Sequence, residues 1–424
     1  MLTSIIFKYE KFRNFFQIIL FFLILLFCFF VSFSPSVGKI LVNNMFYIWI
    51  LTLNFRNIFY YLKNNKIFLF IIIFFMLIAF STFITPTTTY YNYDNFIKYF
   101  LLPILIITTS IKTEYIKYFI TAFLGGMFVN ELISYGIYFE FIKDNFLGFS
   151  IYGNKYNPVP FLTSHIEYTQ FLSLSIVMSL FTIFKVKHNI LKVVLVIFLI
   201  TMITNLFLTT GRTGQFTLLM TSLFLLIVYF KNNIKYILYG LITLVFIFVL
   251  AFNFSTNTNK RLKQGYTDIE NFINKKNYNT SLGIRMTSYL IIPDIIKNEN
   301  FNLLYGFGYC AVDNIIQEIH IEKFGDEKTF AKTYGHLHNT YISIFAGLGL
   351  IGLSLFFIIW YYLFKLKIED DYLNYIRYTF LLVITFGGFS SELFWQREIM
   401  LLSAMFISII IYVSSKNNKE QING

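Results

Sequence analysis

The chain has 424 residues, 57% hydrophobic and only 13% charged, with a mean hydropathy of +0.64. A soluble domain carries about twice that charged fraction, so a soluble globular protein is excluded. The formal charge of +12 is scattered through short segments between apolar runs, which argues against a nucleic-acid partner. Two cysteines, Cys28 and Cys310, make neither a metal spacing nor a disulfide framework.

The apolar runs are roughly 17–22 residues long, enough to cross a hydrocarbon core of ~30 Å. Period-2 alternation, the mark of an outer-membrane barrel, is absent. The fold class expected is an all-α polytopic integral membrane protein. Taken in order, the runs fall at about 15–33, 37–53, 67–83, 96–111, 118–139, 166–184, 193–208, 216–230 and 236–254. A polar segment then precedes three more, at about 339–364, 372–390 and 399–414. This predicts about twelve spans in three parts: an N-terminal bundle (1–254), a polar loop (255–338), and a C-terminal bundle with a short tail (339–424). The first run lacks a small-residue cleavage site and is followed by further spans, so it is read as a span and not a signal peptide.

Basic residues sort by side. Lys63, Lys66, Lys112, Lys117, Lys185, Lys187, Lys231 and Lys235 are among many on the N-terminal side. The short loops opposite carry only Lys39, Lys98, Lys143, Lys155, Arg212 and Arg397. The positive-inside rule places both termini in the cytoplasm and the large polar loop outside. That loop has helical patterning: Leu262, Tyr266, Ile269 and Phe272 recur as on one helix face. A second helical stretch, about 282–297, carries Arg285 and is interrupted at Pro293. Leu304 to Tyr309, with glycines at 306 and 308, reads as a tight turn. A small, partly helical cap over the bundle is expected.

Ionisable residues at the edges of spans are costly and therefore functional candidates. Arg212 lies between Gly211 and Thr213-Gly214 at a span end, where a guanidinium matches phosphate oxygens and glycines let backbone approach an anion. Arg285 lies in the loop, and His336, His338 and Asn339 lie where the loop meets the next span. Bland readings stand beside these: a snorkelling arginine for Arg212, a solvated helix residue for Arg285, and a helix start capped by Asn339. His165 and Glu167 open the sixth span, and Tyr334 and Tyr341 flank the histidines as aromatic candidates. Glu131 sits within a span with no partner legible in the sequence. The Glu392–Glu398 segment, Glu-Leu-Phe-Trp-Gln-Arg-Glu, has no assignable role.

Four motifs occur in order: Thr209-Thr-Gly-Arg-Thr-Gly214, Ser281-Leu-Gly-Ile-Arg-Met286, Leu304-Tyr-Gly-Phe-Gly-Tyr309, and His336-Leu-His-Asn-Thr-Tyr-Ile342 with Gly347, Gly349 and Gly352. Together they resemble the O-antigen ligase/polymerase superfamily of bacterial envelope glycosyltransferases, well over about 209–355 and loosely over the rest. The resemblance implies glycan transfer on the periplasmic face of the inner membrane, from an undecaprenyl-pyrophosphate donor. The acceptor it implies is lipid A–core for a ligase or a lipid-linked glycan for a polymerase. By carry-over, Arg212 and Arg285 hold the pyrophosphate and His338 is the essential histidine. His336, Asn339, Tyr341 and His165 are further substrate-binding candidates.

Near its ordinary pKa of ~6.5, His338 suits a general base. The arginines compensate a leaving pyrophosphate. The outer segments contain no Asp-x-Asp and no metal-ligand spacing, so no metal or other cofactor is expected. The His-x-His-Asn form and the span count lean toward a ligase, with a polymerase the close alternative. A lipid-linked glycan transporter is disfavoured, because the polar candidates cluster on one face and no symmetric halves are evident.

Overall fold

A computed structural model describes residues 2–423 apart from 86–89, 147, 162–163, 255, 275–277 and 326–334. Tyr334 lies outside the described residues. Among those residues, nine helices are long and apolar enough to cross a membrane, and the protein is an all-α, multi-pass membrane protein.

The helices of the first part are α1 (Leu2–Phe30), α2 (Pro35–Thr52), α3 (Asn57–Asn64), α4 (Lys66–Ile84), α5 (Tyr91–Phe96), α6 (Leu102–Ser110), α7 (Ile116–Tyr138), α8 (His165–Lys185), α9 (Asn189–Leu208), α10 (Arg212–Phe230) and α11 (Ile234–Phe254). The polar segment forms α12 (Thr256–Asn274), α13 (Ser281–Leu290), α14 (Ile292–Lys297) and α15 (Val312–Phe324). Three helices follow: α16 (Thr340–Lys365), α17 (Asp371–Gly387) and α18 (Arg397–Asn423). The 140–164 connection adds only a two-residue hairpin, Asn145–Phe146 with Phe149–Ser150.

Length and composition alone do not give twelve spans. The second run is bent by 82° where α2 meets the next helix, at Leu53 in the left-handed region. The fourth is broken into α5, a π turn at Ile97–Leu101, and α6. The eleventh, α17, has only 17 residues. Apolar runs show where hydrocarbon is met, but a bend or a π turn leaves little trace in hydropathy.

The centre and rim of the bundle are set by how many faces each helix hides. Residues Arg397–Lys416 of α18 are 94% buried, whereas Ile234–Ala251 of α11 is 6% buried. So α18 is the central post and α11 a peripheral helix. Asn65 caps the start of α4 and donates to Ile411 O, Ser414 Oγ and Ser415 Oγ, fixing the far end of α18. At the other end α10 packs on α8 and α17. That approach needs small residues: a Cβ at Gly211 would lie 2.4 Å, and at Gly214 2.3 Å, from side-chain atoms of Thr169. The glycines around Arg212 therefore serve helix packing. The backbone approach to an anion expected from the sequence is corrected here, because Thr169 fills the space beside them.

The glycine-spaced run also departs from expectation. α16 is interrupted at Gly349, whose φ of 63° and ψ of −160° lie outside helix. Backbone groups freed inside a membrane need new partners, and the Leu303–Gly308 turn supplies them. Phe307 N–H donates to Ala346 O (2.8 Å) and Gly308 N–H to Gly347 O (3.0 Å), while Leu350 and Ile351 donate back to Leu303 and Leu304 (2.9 and 3.0 Å). Two motifs separated in sequence thus form one backbone joint. Around it, Ile291, Ile295, Phe307, Val312, Ile316 and Leu337 form a small second core between the polar segment and the start of α16.

Gly349→Ala should disrupt this joint, since the new Cβ would meet Leu304 C at 2.4 Å in a positive-φ conformation. We expect a loss of about 1–3 kcal/mol or more, read as a lowered melting midpoint in detergent. Gly125→Ala, whose Cβ makes only ordinary contact with the Phe29 ring at 3.7 Å, should melt close to the parent.

Candidate functional site

The site lies where α10, α13 and α16 begin, and the loop between α17 and α18 holds them together. Arg212 is the first residue of α10. Its Nη1 lies 3.6 Å from Asp268 Oδ2 on α12, and its side chain stays 31% exposed. Arg285, in α13, donates from Nε to Ser390 O (3.2 Å) and from Nη1 to Ser281 O and Oγ (2.7 and 2.8 Å). The two guanidiniums are close enough to repel. Burial and then the charge of Arg212 push the Arg285 pKa down, with Asp268 opposing. An arginine does not give up its proton under such pressure. The result is a part-exposed pair of cations with Asp268 as the carboxylate acting on both, an arrangement that favours a polyanionic visitor.

His338 adopts φ 47°, a left-handed conformation unusual for a side-chain-bearing residue. The reason is local. Asn339 must be extended (φ −149°, ψ 116°) to cap α16, accepting from Tyr341 N–H and Ile342 N–H. Leu337 must point inward, where it is fully buried. His338 makes the turn between them.

The loop 388–393 fixes this segment through Gly388, Phe389, Ser391, Glu392 and Leu393. Thr340 N–H donates to Gly388 O (2.9 Å), Thr340 Oγ1 donates to Ser391 O (2.7 Å) and accepts from Leu393 N–H (2.9 Å), and Asn339 Nδ2 donates to Phe389 O (3.3 Å). Glu392 adds more: its Oε1 accepts from Leu337 N–H (2.5 Å) and from the Ser343 hydroxyl (2.6 Å). Its Oε2 lies 3.2 Å from His336 Nδ1. Ser390 Oγ donates to Thr213 Oγ1 (3.2 Å), which brings in α10.

Protonation follows from these contacts. The hydrogen bond to Glu392 raises the His336 pKa to about 9. His338 goes the other way, to about 4: burial dominates over the pull of Glu392, and Arg285 and His336 add repulsion. The expectation that His338 titrates near ~6.5 is thus corrected. It is neutral and weakly basic at pH 7. Burial pushes the Glu392 carboxyl up, but His336 and Ser343 outweigh it and hold the group below its ordinary value. Asp313, accepting from Asn92 Nδ2 at 2.9 Å, is raised to about 6 by burial and by the Glu392 charge.

The structure links Arg212 to Arg285, and Arg285 and His336 to His338, by direct electrostatic influence. His165 joins them through backbone: a Cβ at Gly211 would lie 2.8 Å from His165 O. Two candidates are placed otherwise. Asn339 is buried, and its amide is engaged in capping α16 and in bonds to Tyr289 OH and Phe389 O. Tyr341 donates to Thr385 O and lies nearly parallel to Phe357, with Phe389 also beside it, so it braces α16 on α17. Glu167 faces the charge of Glu398. Glu131 is buried in α7, with both oxygens unpaired among the described residues. Glu392, Asp268 and Ser390 were not legible as site residues. Only the charged and aromatic interruption at 392–398 hinted that the last loop was more than a connection.

The two histidines predict opposite pH limbs. A folded pKa of about 9 against an ordinary ~6.5 means that the His336 contribution is complete below pH ~6.5 and is lost as pH rises to about 9. Between pH ~4 and ~6 the lowered His338 and the raised Asp313 act in opposite directions and largely cancel. The alkaline limb is therefore the readable one. The His336 side chain is 56% exposed, so screening keeps the effect small. Melting midpoints should fall from pH 6.5 to 9 in the parent and fall less in His336→Asn.

Comparison with known proteins bears on this site. No curated protein matches the chain. Residues 197–357 match the family model described as O-antigen ligase, a segment that contains both arginines, both histidines and the backbone joint at Gly349. Over this segment the chain is similar to the O-antigen ligase family.

Proposed function

We propose that the protein is an envelope glycosyltransferase that moves a saccharide from undecaprenyl pyrophosphate to lipid A–core, as an O-antigen ligase does. In this reading it is an inner-membrane protein of about twelve spans with both termini cytoplasmic. The polar segment and the Arg212 end of the bundle then face the periplasm. The observation that carries the proposal is the pairing of two unlike features along α10. At its start stand Arg212 and, beside it, Arg285. About 9 Å further along, at 1.5 Å per residue, begins a cavity of about 680 Å³ lined almost wholly by apolar side chains, among them Leu218, Leu225, Tyr229, Ile203 and Phe248. A polyprenyl diphosphate has this duality: an anionic head for the cations and an apolar tail for the cavity.

The chemistry then needs little else. The acceptor hydroxyl oxygen attacks the anomeric carbon as the bond from that carbon to the pyrophosphate oxygen breaks, inverting the configuration. Undecaprenyl pyrophosphate leaves with its new charge held by Arg212 and Arg285. The hydroxyl proton passes to His338, neutral beforehand and therefore open to receive it. Its basicity rises once the donor's negative charge offsets Arg285.

In cells lacking the protein, long glycan should accumulate on undecaprenyl carrier while lipid A–core stays bare. Accumulation of single repeat units would assign the polymerase reaction, and no change in either pool would overturn both. Arg212→Ala, Arg285→Ala and His338→Ala should each cut transfer by roughly 10²–10³-fold with the protein still inserted. A fully active His338→Ala enzyme would remove the general-base role.

A further inference from the structure

Glu392 lies outside the segment that carries the family match and has been given no role in the transfer above. It is 6% exposed and sits just ahead of a short 3-10 turn, Leu393–Trp395, far in sequence from the histidines. Yet each of its oxygens meets the His336–Ser343 segment. One accepts from Leu337 N–H and Ser343 Oγ, on either side of His338 and Asn339, and the other faces His336 Nδ1. We infer that Glu392 is the positioning residue of the site, a single buried carboxylate that holds the turn presenting His338 and keeps its neighbour His336 a cation on the same anion-binding end.

Three features support this. A left-handed non-glycine residue persists only where its surroundings over-determine it, and Leu337 N–H, directly ahead of His338, is tied to Glu392. A buried carboxylate is stable as an anion only with partners, and the three named contacts supply them. His336 is the partner that remains exposed, so its ring is open, among the described residues, to meet a ligand's oxygens as a third cation beside Arg212 and Arg285. The charged and titratable groups acting on this unit are His336 and His338 from the same segment, Arg285 from α13, Asp313 from α15, and Tyr309 from the preceding turn. Asp313 is the one that opposes Glu392, and its raised pKa leaves it the more readily protonated of the two carboxylates.

The inference rests on the glycan-transfer reading for its rate consequences but not for its charge consequence, and the two are tested separately. Full-length protein labelled at its five histidines would be titrated by NMR in detergent, using His336→Asn to assign the resonance. The same preparations would be assayed for transfer from a lipid-pyrophosphate-linked glycan across pH 6–9. In Glu392→Gln, which keeps an oxygen for Leu337 N–H, the His336 midpoint should drop from about 9 to ~6.5 or below. Its KM for the donor should then rise several-fold between pH 6 and 8 while the parent's stays flat. Glu392→Ala, which also releases the turn, should lose about 100-fold in kcat, and Glu392→Asp should recover part of it.

A Glu392→Gln enzyme with parental KM at pH 8 and an unmoved His336 titration would overturn the proposal. So would a Glu392→Ala enzyme with parental kcat. If the titration shifts as expected but even the parent transfers no glycan, the pairing of Glu392 with His336 stands and the assignment of the reaction falls.

Discussion

The site depends on the need to satisfy polar groups at helix ends where water is scarce. α16 begins at Thr340 and α18 at Arg397, and each start leaves backbone donors to be met. At α16 Asn339 meets two of them and the loop 388–393 meets another by folding back on the first turn, with Thr340 acting as both donor and acceptor and Glu392 accepting twice. Because the same loop also accepts from Arg285 and bonds Thr213, α10, α13 and α16 become one rigid assembly. The positions of the two guanidiniums relative to His338 follow from hydrogen bonds made for structural reasons.

Charge is arranged with the same economy. Two arginines and a protonated His336 stand against Asp268 and Glu392, and His338 is kept neutral among them by burial and by its cationic neighbours. A neutral imidazole beside cations is a poor base until an anion arrives. A bound diphosphate would relieve that repulsion, so donor binding and base strength are coupled by electrostatics alone. In the proposed mechanism the same arrangement would disfavour premature deprotonation of the acceptor hydroxyl.

Much of this could be read from the residues in order. The apolar runs gave the multi-pass helical class, and Arg212 and His338 stood out because charge at span edges is costly, while Arg285 stood out only through the motif series. The helical stretches at 256–274 and 281–297, with the break near Pro293, appear as patterned. What stayed hidden shares one cause: it depends on contacts between segments distant in the chain. Glu392 reads as one more loop carboxylate until the chain folds and sets it under Leu337. Gly211 and Gly214 look like an anion cradle until Thr169 is seen to fill the space beside them. Gly349 looks like one step in an apolar span until the 303–308 turn is found inserted there. Asn339, read both as a ligand and as a cap, is engaged as a cap.

The most direct test of the central claim is transfer by the purified protein in vesicles, supplied with undecaprenyl-pyrophosphate-linked glycan and lipid A–core. The account predicts that glycan appears on lipid A–core with inverted anomeric configuration, that undecaprenyl pyrophosphate is released in equal amount, and that Arg212→Ala protein gives neither. Donor left intact in the presence of active, folded protein and of either lipid A–core or a second lipid-linked glycan would contradict it.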